Sequence, residues 1–351
     1  MENKKFTLLE EIGEFGLIEA LTSKNKIRQS NTIKSVGDDA AVIAYNKGTF
    51  TLVSTDMLVE GIHFNLEYTP LKYLGFKAVS VNVSDIYAMN GTPEHITVSL
   101  AVSSRFTLEA LQELYKGIYE ACDFYNIDLI GGDTTTIKRG MVLSITVLGK
   151  ATKEKITYRN GAKEGDLICV SGDLGAAYMG LKLLERERHV YKNMPEKTPD
   201  WTGWEYILER QLKPVARRDI TKFFDKKNIV PTSMIDISDG LSSEILHICN
   251  QSNVGAEIYE ERLPIEAQTK AMAQQMNLHP TIAAMHGGED YELLFTIPIA
   301  EFPKIKDNQA ISVIGKITAK PGNVNLITTD GTAVPIIAQG WNAFEKRNID
   351  E

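Results

Sequence analysis

A chain of 351 residues, 43% hydrophobic and 24% charged, is long enough to bury two globular cores and has the composition of a soluble protein. Its formal net charge of −8, with no basic cluster beyond Lys-Lys and Arg-Arg pairs, argues against a nucleic-acid surface or an anionic membrane. It has no apolar run of about eighteen residues and no signal-peptide pattern in MENKKFTLLEEIGEFG, so the expected compartment is the cytoplasm.

Along the chain, strand-like and helix-like patterns alternate. TFTLVSTD (49–56) reads as a strand ending on its acidic residue. PLKYLGFKAVSVNVSDIYAMNG reads as a helix with Leu74, Ala78, Val81 and Ile86 near one face, stopped by Gly91 and Pro93. HITVSLAVS is the next strand. TLEALQELYKGIYEACDFYN is an amphipathic helix opened by Thr107 as N-cap, and MVLSITVLGKA is a further strand. The polar stretch KATKEKITYRNGAKEGD breaks the pattern, which places the boundary between a first domain (1–150) and a second (151–351).

The second half resumes with the strand DLICVS. SGDLGAA follows as a glycine turn at a helix N-terminus, a place that could face a phosphate, although standing alone it reads first as a plain structural turn, and HVYKNMPEKTPDWTGW reads as a surface insertion. After DGLSS come a helix, strands around GAEIY, YELLFTI and ISVIGKI, and a late hairpin NLITTDGTAV whose Asp-Gly suits a type I′ turn. The fold class is therefore α/β (α+β) in two domains. Cys122, Cys169 and Cys249 sit singly in apolar surroundings, as buried reduced thiols do.

Familiar catalytic templates are missing: there is no G-x-x-x-x-G-K-[ST], no H-E-x-x-H, no G-x-S-x-G. What recurs instead is a short acidic signature: VGDDAAV, VSTDMLVEG, VNVSDIYAMNG, GGDTTT, MIDISDGL and HGGEDYELLF. One such signature alone is an ordinary turn or cap. Here, however, Asp56 lies on a strand, and Asp85 lies in an apolar helix, three residues after Asn82 on the same face. Carboxylates on rigid elements beside core residues are costly unless a cation pairs with them. With almost no histidine or cysteine near them, the donors favour magnesium over zinc, while calcium stays open. Metal bridging would give an acidic protein a route to phosphates, and hence to phosphoryl transfer.

The signatures GDDAAV, STDMLVEGIHF, NVSDIYAMNG, LIGGDTT, TYRNGAKEGD, IDISDGL and GGEDYELLF occur in this order. In that order they resemble the thiamine-monophosphate kinase family, of the superfamily that includes aminoimidazole-ribonucleotide synthetase and selenophosphate synthetase. The resemblance runs from about Phe6 to Gly340 and Trp341, nearly the whole chain. It implies a two-domain aminoimidazole-ribonucleotide-synthetase-like fold, with an N-terminal domain that binds ATP and magnesium and dimerises and a C-terminal α/β domain that completes the site. The implied reaction is direct in-line transfer of the ATP γ-phosphate onto thiamine monophosphate, the last step of thiamine diphosphate biosynthesis, in a homodimer using several Mg2+ ions and no protein nucleophile.

Carried over motif by motif, the metal ligands would be Asp39, Ser54, Thr55, Asp56, Asp85, Asp133, Asp236 and Asp239, with Asp38 ranked behind its neighbour Asp39. ATP would meet Tyr115, Gly132, Asp133, Arg159 and Ser238, and thiamine monophosphate would meet His63, Glu289 and Trp341. Selenophosphate synthetase is disfavoured because no cysteine precedes Cys122, and aminoimidazole-ribonucleotide synthetase by the form of STDMLVEGIHF and GGEDYELLF. A non-catalytic nucleotide or cation sensor is the alternative from another class.

Overall fold

In the computed structural model, which describes residues 9–337, the alternation in MVLSITVLGKAT becomes a strand that buries Met141, Leu143, Ile145 and Val147 and leaves Val142, Ser144 and Thr146 half-buried on its other face. In chain order the first unit runs α1 (Leu9–Thr22), β1 (Thr32–Lys34), β2 (Ala41–Asn46), β3 (Thr49–Val59), α2 (Leu71–Ala88), β4 (Thr92–Val102), α3 (Leu108–Tyr125), β5 (Asp128–Thr136) and β6 (Met141–Thr152). Its six-stranded sheet has the order β1-β2-β3-β6-β4-β5. Only β4 and β5 in this sheet pair in parallel, as the α3 crossover between them requires.

The second unit follows with β7 (Leu167–Ser171), α4 (Ala176–Asn193), α5 (Glu205–Leu212), α6 (Arg218–Lys227), β8 (Ser233–Asp236), α7 (Leu241–Ser252) and β9 (Gly255–Tyr259). It continues with α8 (Ala267–Gln275), α9 (Pro280–His286), β10 (Leu293–Ile297), α10 (Phe302–Ile305), β11 (Ile311–Thr318), β12 (Val324–Ile327) and β13 (Ala333–Pro335). Its seven-stranded sheet is ordered β13-β12-β9-β11-β7-β10-β8. A separate core fills this unit, built around Ile168, Val170, Ile235, Ile245, Ile258 and Leu294. No helix among the described residues is long and apolar enough to cross a membrane.

Helix α2 is the pivot of the molecule. It is buried from Leu74 to Ala88 except at Asp85, because it lies on the first sheet, against α3 and against β8 of the second unit. Helix α3 starts where Thr107 accepts the Ala110 N–H at 3.2 Å, as its N-cap pattern predicts. The two helices touch through glycines. A Cβ at Gly75 would lie 2.0 Å from the Leu114 carbonyl oxygen, and one at Gly117 would lie 1.8 Å from that of Lys72.

Two expectations change, and GGDTTT takes a place in the sheet. Strand β3 continues past Asp56 to Val59, so Asp56 sits within a ladder and not at its end. GGDTTT is part of edge strand β5, since β4 offers a full row of parallel partners from His95 to Val102. In the late hairpin, Gly331 donates to Thr328 and has φ 85°, while Asp330 is not at positive φ. A type I turn followed by a left-handed glycine therefore replaces the type I′ turn. Cys122, Cys169 and Cys249 are buried free thiols, as expected.

The glycine contact yields a test. Gly117→Ala forces α2 and α3 apart and is expected to cost about 1–3 kcal/mol, the usual range for overpacking. The change would be read as a lower urea midpoint at unchanged slope. An unchanged midpoint would mean that the helices do not depend on this close approach.

Candidate functional site

Three carboxylates from three elements converge between the two units. Asp39, before β2, Asp85, near the end of α2, and Asp236, at the end of β8, each offer an oxygen, and these oxygens lie within 4.8 Å of one another. Asp56 stands beside them. Its cross-strand partner Ile145 is in the core under α2, so Asp56 faces the same side, and its backbone N–H donates to Asn82 Oδ1 at 3.0 Å. Ser54 Oγ donates to Asp85 Oδ2, and Ser84 Oγ donates to Asp236 Oδ2 at 2.6 Å. Two hydroxyls thus aim two of the carboxylates.

The charge balance is lopsided. Arg159 Nη2 meets Asp39 Oδ1 at 2.8 Å and, among the described residues, is the cation in contact with the group. Arg159 is therefore no solvated loop charge. Burial pushes Asp39 up to about 7 against the pull of Arg159, and burial with the neighbouring Asp39 pushes Asp56 up to about 6. Asp85 is raised well above the usual carboxylate range by burial and then by Asp56, Asp236 and Asp39. Asp236 rises to about 6 through burial, although Ser84 and Arg159 oppose it. Asp39 Oδ2 is buried with no hydrogen-bond partner.

Asp38 turns away from the group. One of its oxygens accepts the Arg159 backbone N–H at 3.1 Å, and the other lies 3.3 Å from Lys34 Nζ. Asp239 lies on the loop after β8, raised to about 6 by burial and then by Glu14. Its backbone N–H donates to Glu244 at 3.0 Å. Glu244 is 2% exposed, has an unpartnered oxygen and is raised well above its usual range by burial and by Asp239. The sequence reading missed it, because an acid in a first helical turn has an ordinary reason to be there.

A second group lies next to this one. His63 Nδ1 accepts the Val59 N–H at 3.0 Å, which puts the ring proton on Nε2, and burial lowers its pKa. Glu289 follows Gly288 with φ 57°, and its N–H donates to the Ser238 carbonyl at 2.7 Å. Ser238 thus holds this loop through its backbone. Glu289 also meets Lys77 of α2 at 2.8 Å, a contact with no sequence signal except one lysine in an apolar helix. In SGDLGAA, Asp290 accepts the Gly175 N–H at 2.7 Å and occupies the α4 N-terminus, which fits the structural-turn reading.

Other expected site residues are not brought together within one chain. Thr55 points to the opposite face of β3, where its hydroxyl bonds the Ile145 carbonyl and Thr146. Asp133 is exposed on β5, in the row Met57–Ser144–Ser99–Asp133, so it lies on that same opposite face and three strand spacings from β3, ~14 Å. A Cβ at Gly132 would meet the Val98 carbonyl at 1.9 Å, so this glycine serves the approach of β5 to β4. Tyr115 is half-buried on the outer face of α3, in a groove of about 460 Å³ with Leu108, Leu111 and Tyr119. Trp341 lies outside the described residues.

Residues 37–151 match the family described as AIR synthase related protein, N-terminal domain. The chain is 33% identical over 339 residues to thiamine-monophosphate kinase of Bacillus subtilis (strain 168), covering 95% of this chain and 99% of that protein. It is also 33% identical to the thiamine-monophosphate kinase of Aquifex aeolicus (strain VF5), covering 96% and 99%. The solved structure of AaThiL complexed with AMPPCP and TMP superposes with a TM-score of 0.81 at 32% identity, over 96% of this chain and 99% of that one.

The buried carboxylates set a pH dependence. Their folded-state pKa values are raised, so the stability they contribute is present while they are protonated and is lost as pH rises through about 6 to 7. Chelator-treated protein is therefore expected to lose melting temperature between pH 5 and 8 more steeply than its Asp85→Asn variant. Millimolar magnesium should restore the wild type at pH 8 and leave the variant less affected. Parallel curves for the two proteins, insensitive to magnesium, would contradict this.

Proposed function

The chain belongs to the thiamine-monophosphate kinase family, and from that premise we propose that it transfers the ATP γ-phosphoryl group directly onto the phosphate of thiamine monophosphate, giving thiamine diphosphate. The observation that carries the mechanism is the convergence of Asp39, Asp85 and Asp236 on one point. The donors fit magnesium: they are oxygens only, and one of them, Asp39 Oδ2, is buried without a partner. Asp39, Asp85 and Asp236 would hold magnesium, which when bound would supply the positive charge that offsets repulsion between the donor and acceptor phosphates.

The protein's own part is positioning. Asp39, Asp56, Asp85 and Asp236 hold the metal, with Asp239 and Glu244 behind them, while Ser54 and Ser84 fix two carboxylates by hydrogen bonds. Arg159 ties Asp39 in place and, with Ser238, faces ATP. His63 offers an Nε2 proton and Glu289 a carboxylate to thiamine monophosphate, with Trp341 assigned to the same substrate by family resemblance. Among the described residues, Cys122, Cys249 and His63 are poorly suited to carry the phosphoryl group. Burial pushes the Cys122 and Cys249 thiols up to about 11 and about 12, and the His63 Nδ1 lone pair is taken by Val59.

Asp133, Gly132 and Tyr115 enter this reading through a second copy of the chain. Strand β5 is the sheet's edge, and Asp133 lies on the opposite face from Asp56, three strands away. Ile130 on the same strand is exposed, at 57%. A homodimer formed here would bring the GGDT segment of one protomer to the ATP of the other. The first domain, 1–150, then supplies ATP, metal and dimer contacts, and the second, 151–351, completes the site, in a cytoplasmic enzyme.

Incubating the purified protein with ATP, magnesium and either thiamine monophosphate or free thiamine tests the reaction. Thiamine diphosphate, identified by mass, should form from the monophosphate only. Asp236→Asn and Asp56→Asn should each lower kcat by about a hundredfold or more with the fold kept. Product from free thiamine, or near-normal turnover of either variant at saturating magnesium, would count against the reading. Incubation with γ-labelled ATP alone should leave no covalent label on the protein, and recovery of label there would contradict direct transfer.

A further inference from the structure

Lys77 is the lysine that the described fold buries, at 2% exposure, between the core residues Phe76 and Ala78 of α2. A buried ammonium persists only where partners hold it. Its Nζ lies 2.8 Å from Glu289 Oε1 and donates to the Gln211 carbonyl at 3.3 Å, while Gln211 Nε2 donates to Glu289 Oε2 at 2.9 Å. Both oxygens of Glu289 are thereby held, one from α2 and one from α5. The backbone of Glu289 is pinned as well, at φ 57° and through its N–H to Ser238. Its side chain still keeps 27% of its exposure.

Seven residues along α2 from Lys77, and so on the same side of the helix, Ser84 holds Asp236 of the metal cluster at 2.6 Å. The rise over those seven residues is ~10 Å. Helix α2 is thus a ruler. At one end it fixes a carboxylate that holds metal, and at the other a carboxylate that faces the acceptor. We infer that Lys77 is a positioning residue for acceptor selectivity: it holds Glu289 at a set distance from the metal cluster, so that an acceptor is taken when its phosphate and its cationic, amine-bearing ring system match that spacing. This rests on reading Glu289 as part of the thiamine monophosphate site.

The test is a double-variant cycle on the full chain with Lys77→Met, Glu289→Gln and the pair together, with the melting temperature measured for each. Both single variants are expected to raise the KM for thiamine monophosphate about tenfold, keep kcat within about threefold and keep the KM for ATP within about twofold. The double variant should be no worse than Glu289→Gln alone, because Lys77 acts through Glu289. That comparison stands even if Lys77→Met alone does not fold, since the pair leaves no unpaired buried charge. Effects that multiply to about a hundredfold in the double variant would overturn the inference, as would an equal rise of both KM values with a fallen melting temperature. A selective loss in Glu289→Gln with none in Lys77→Met would overturn it alone. An unchanged thiamine monophosphate KM in Glu289→Gln would overturn the placement of Glu289 itself, and the inference with it.

Discussion

Of four buried or half-buried carboxylates, Asp39, Asp56, Asp85 and Asp236, one, Asp39, contacts a guanidinium among the described residues, that of Arg159, and this imbalance governs the site. Removing several anions from water without equal positive charge is among the most unfavourable arrangements a fold can hold. The raised pKa values of all four express that cost, with burial the first cause in each case. Protonation relieves it at low pH, and bound divalent cations would relieve it near neutrality. An acidic chain can in this way attract phosphates without a lysine-rich cradle, because the bound cations carry the positive charge.

The rest of the architecture serves that convergence. The carboxylates come from the loop before β2, from β3, from α2 and from the end of β8, so neither sheet alone contains the site. Helix α2 joins them. It lies against α3 by virtue of Gly75 and Gly117, and it reaches the second unit through Ser84 and Lys77. The 289–292 loop is tied down by charge as well: Glu289 to Lys77, and Glu292 to Arg210 and Arg217. A site assembled between two units needs such fixed contacts, since small displacements of reacting groups are costly in rate.

Much of this was legible in the chain. Asp39, Asp56, Asp85 and Asp236 each sit in a short acidic signature beside apolar residues, a local pattern that burial makes conspicuous. The period of two in a strand also carried an unused message: in Ser-Thr-Asp, Ser54 and Asp56 share a face and Thr55 must oppose them. Other features depend on partners far away in the sequence. That Asp133 lies at the sheet edge follows from the strand order, which no local pattern encodes. Lys77 and Glu244 look like ordinary helix residues until the elements packed against them are known. Arg159 sits in a polar loop whose role emerges only when it closes on Asp39.

The central claim is that the aspartate cluster is a divalent-cation centre serving phosphoryl transfer. Anomalous scattering from crystals grown with manganese and a non-hydrolysable ATP analogue tests it most directly, since manganese takes oxygen ligands as magnesium does. The account predicts peaks within ligand distance of Asp39, Asp85 and Asp236 that also touch the nucleotide phosphates. Peaks confined to other acidic residues, or nucleotide bound with no metal among these three carboxylates, would contradict it.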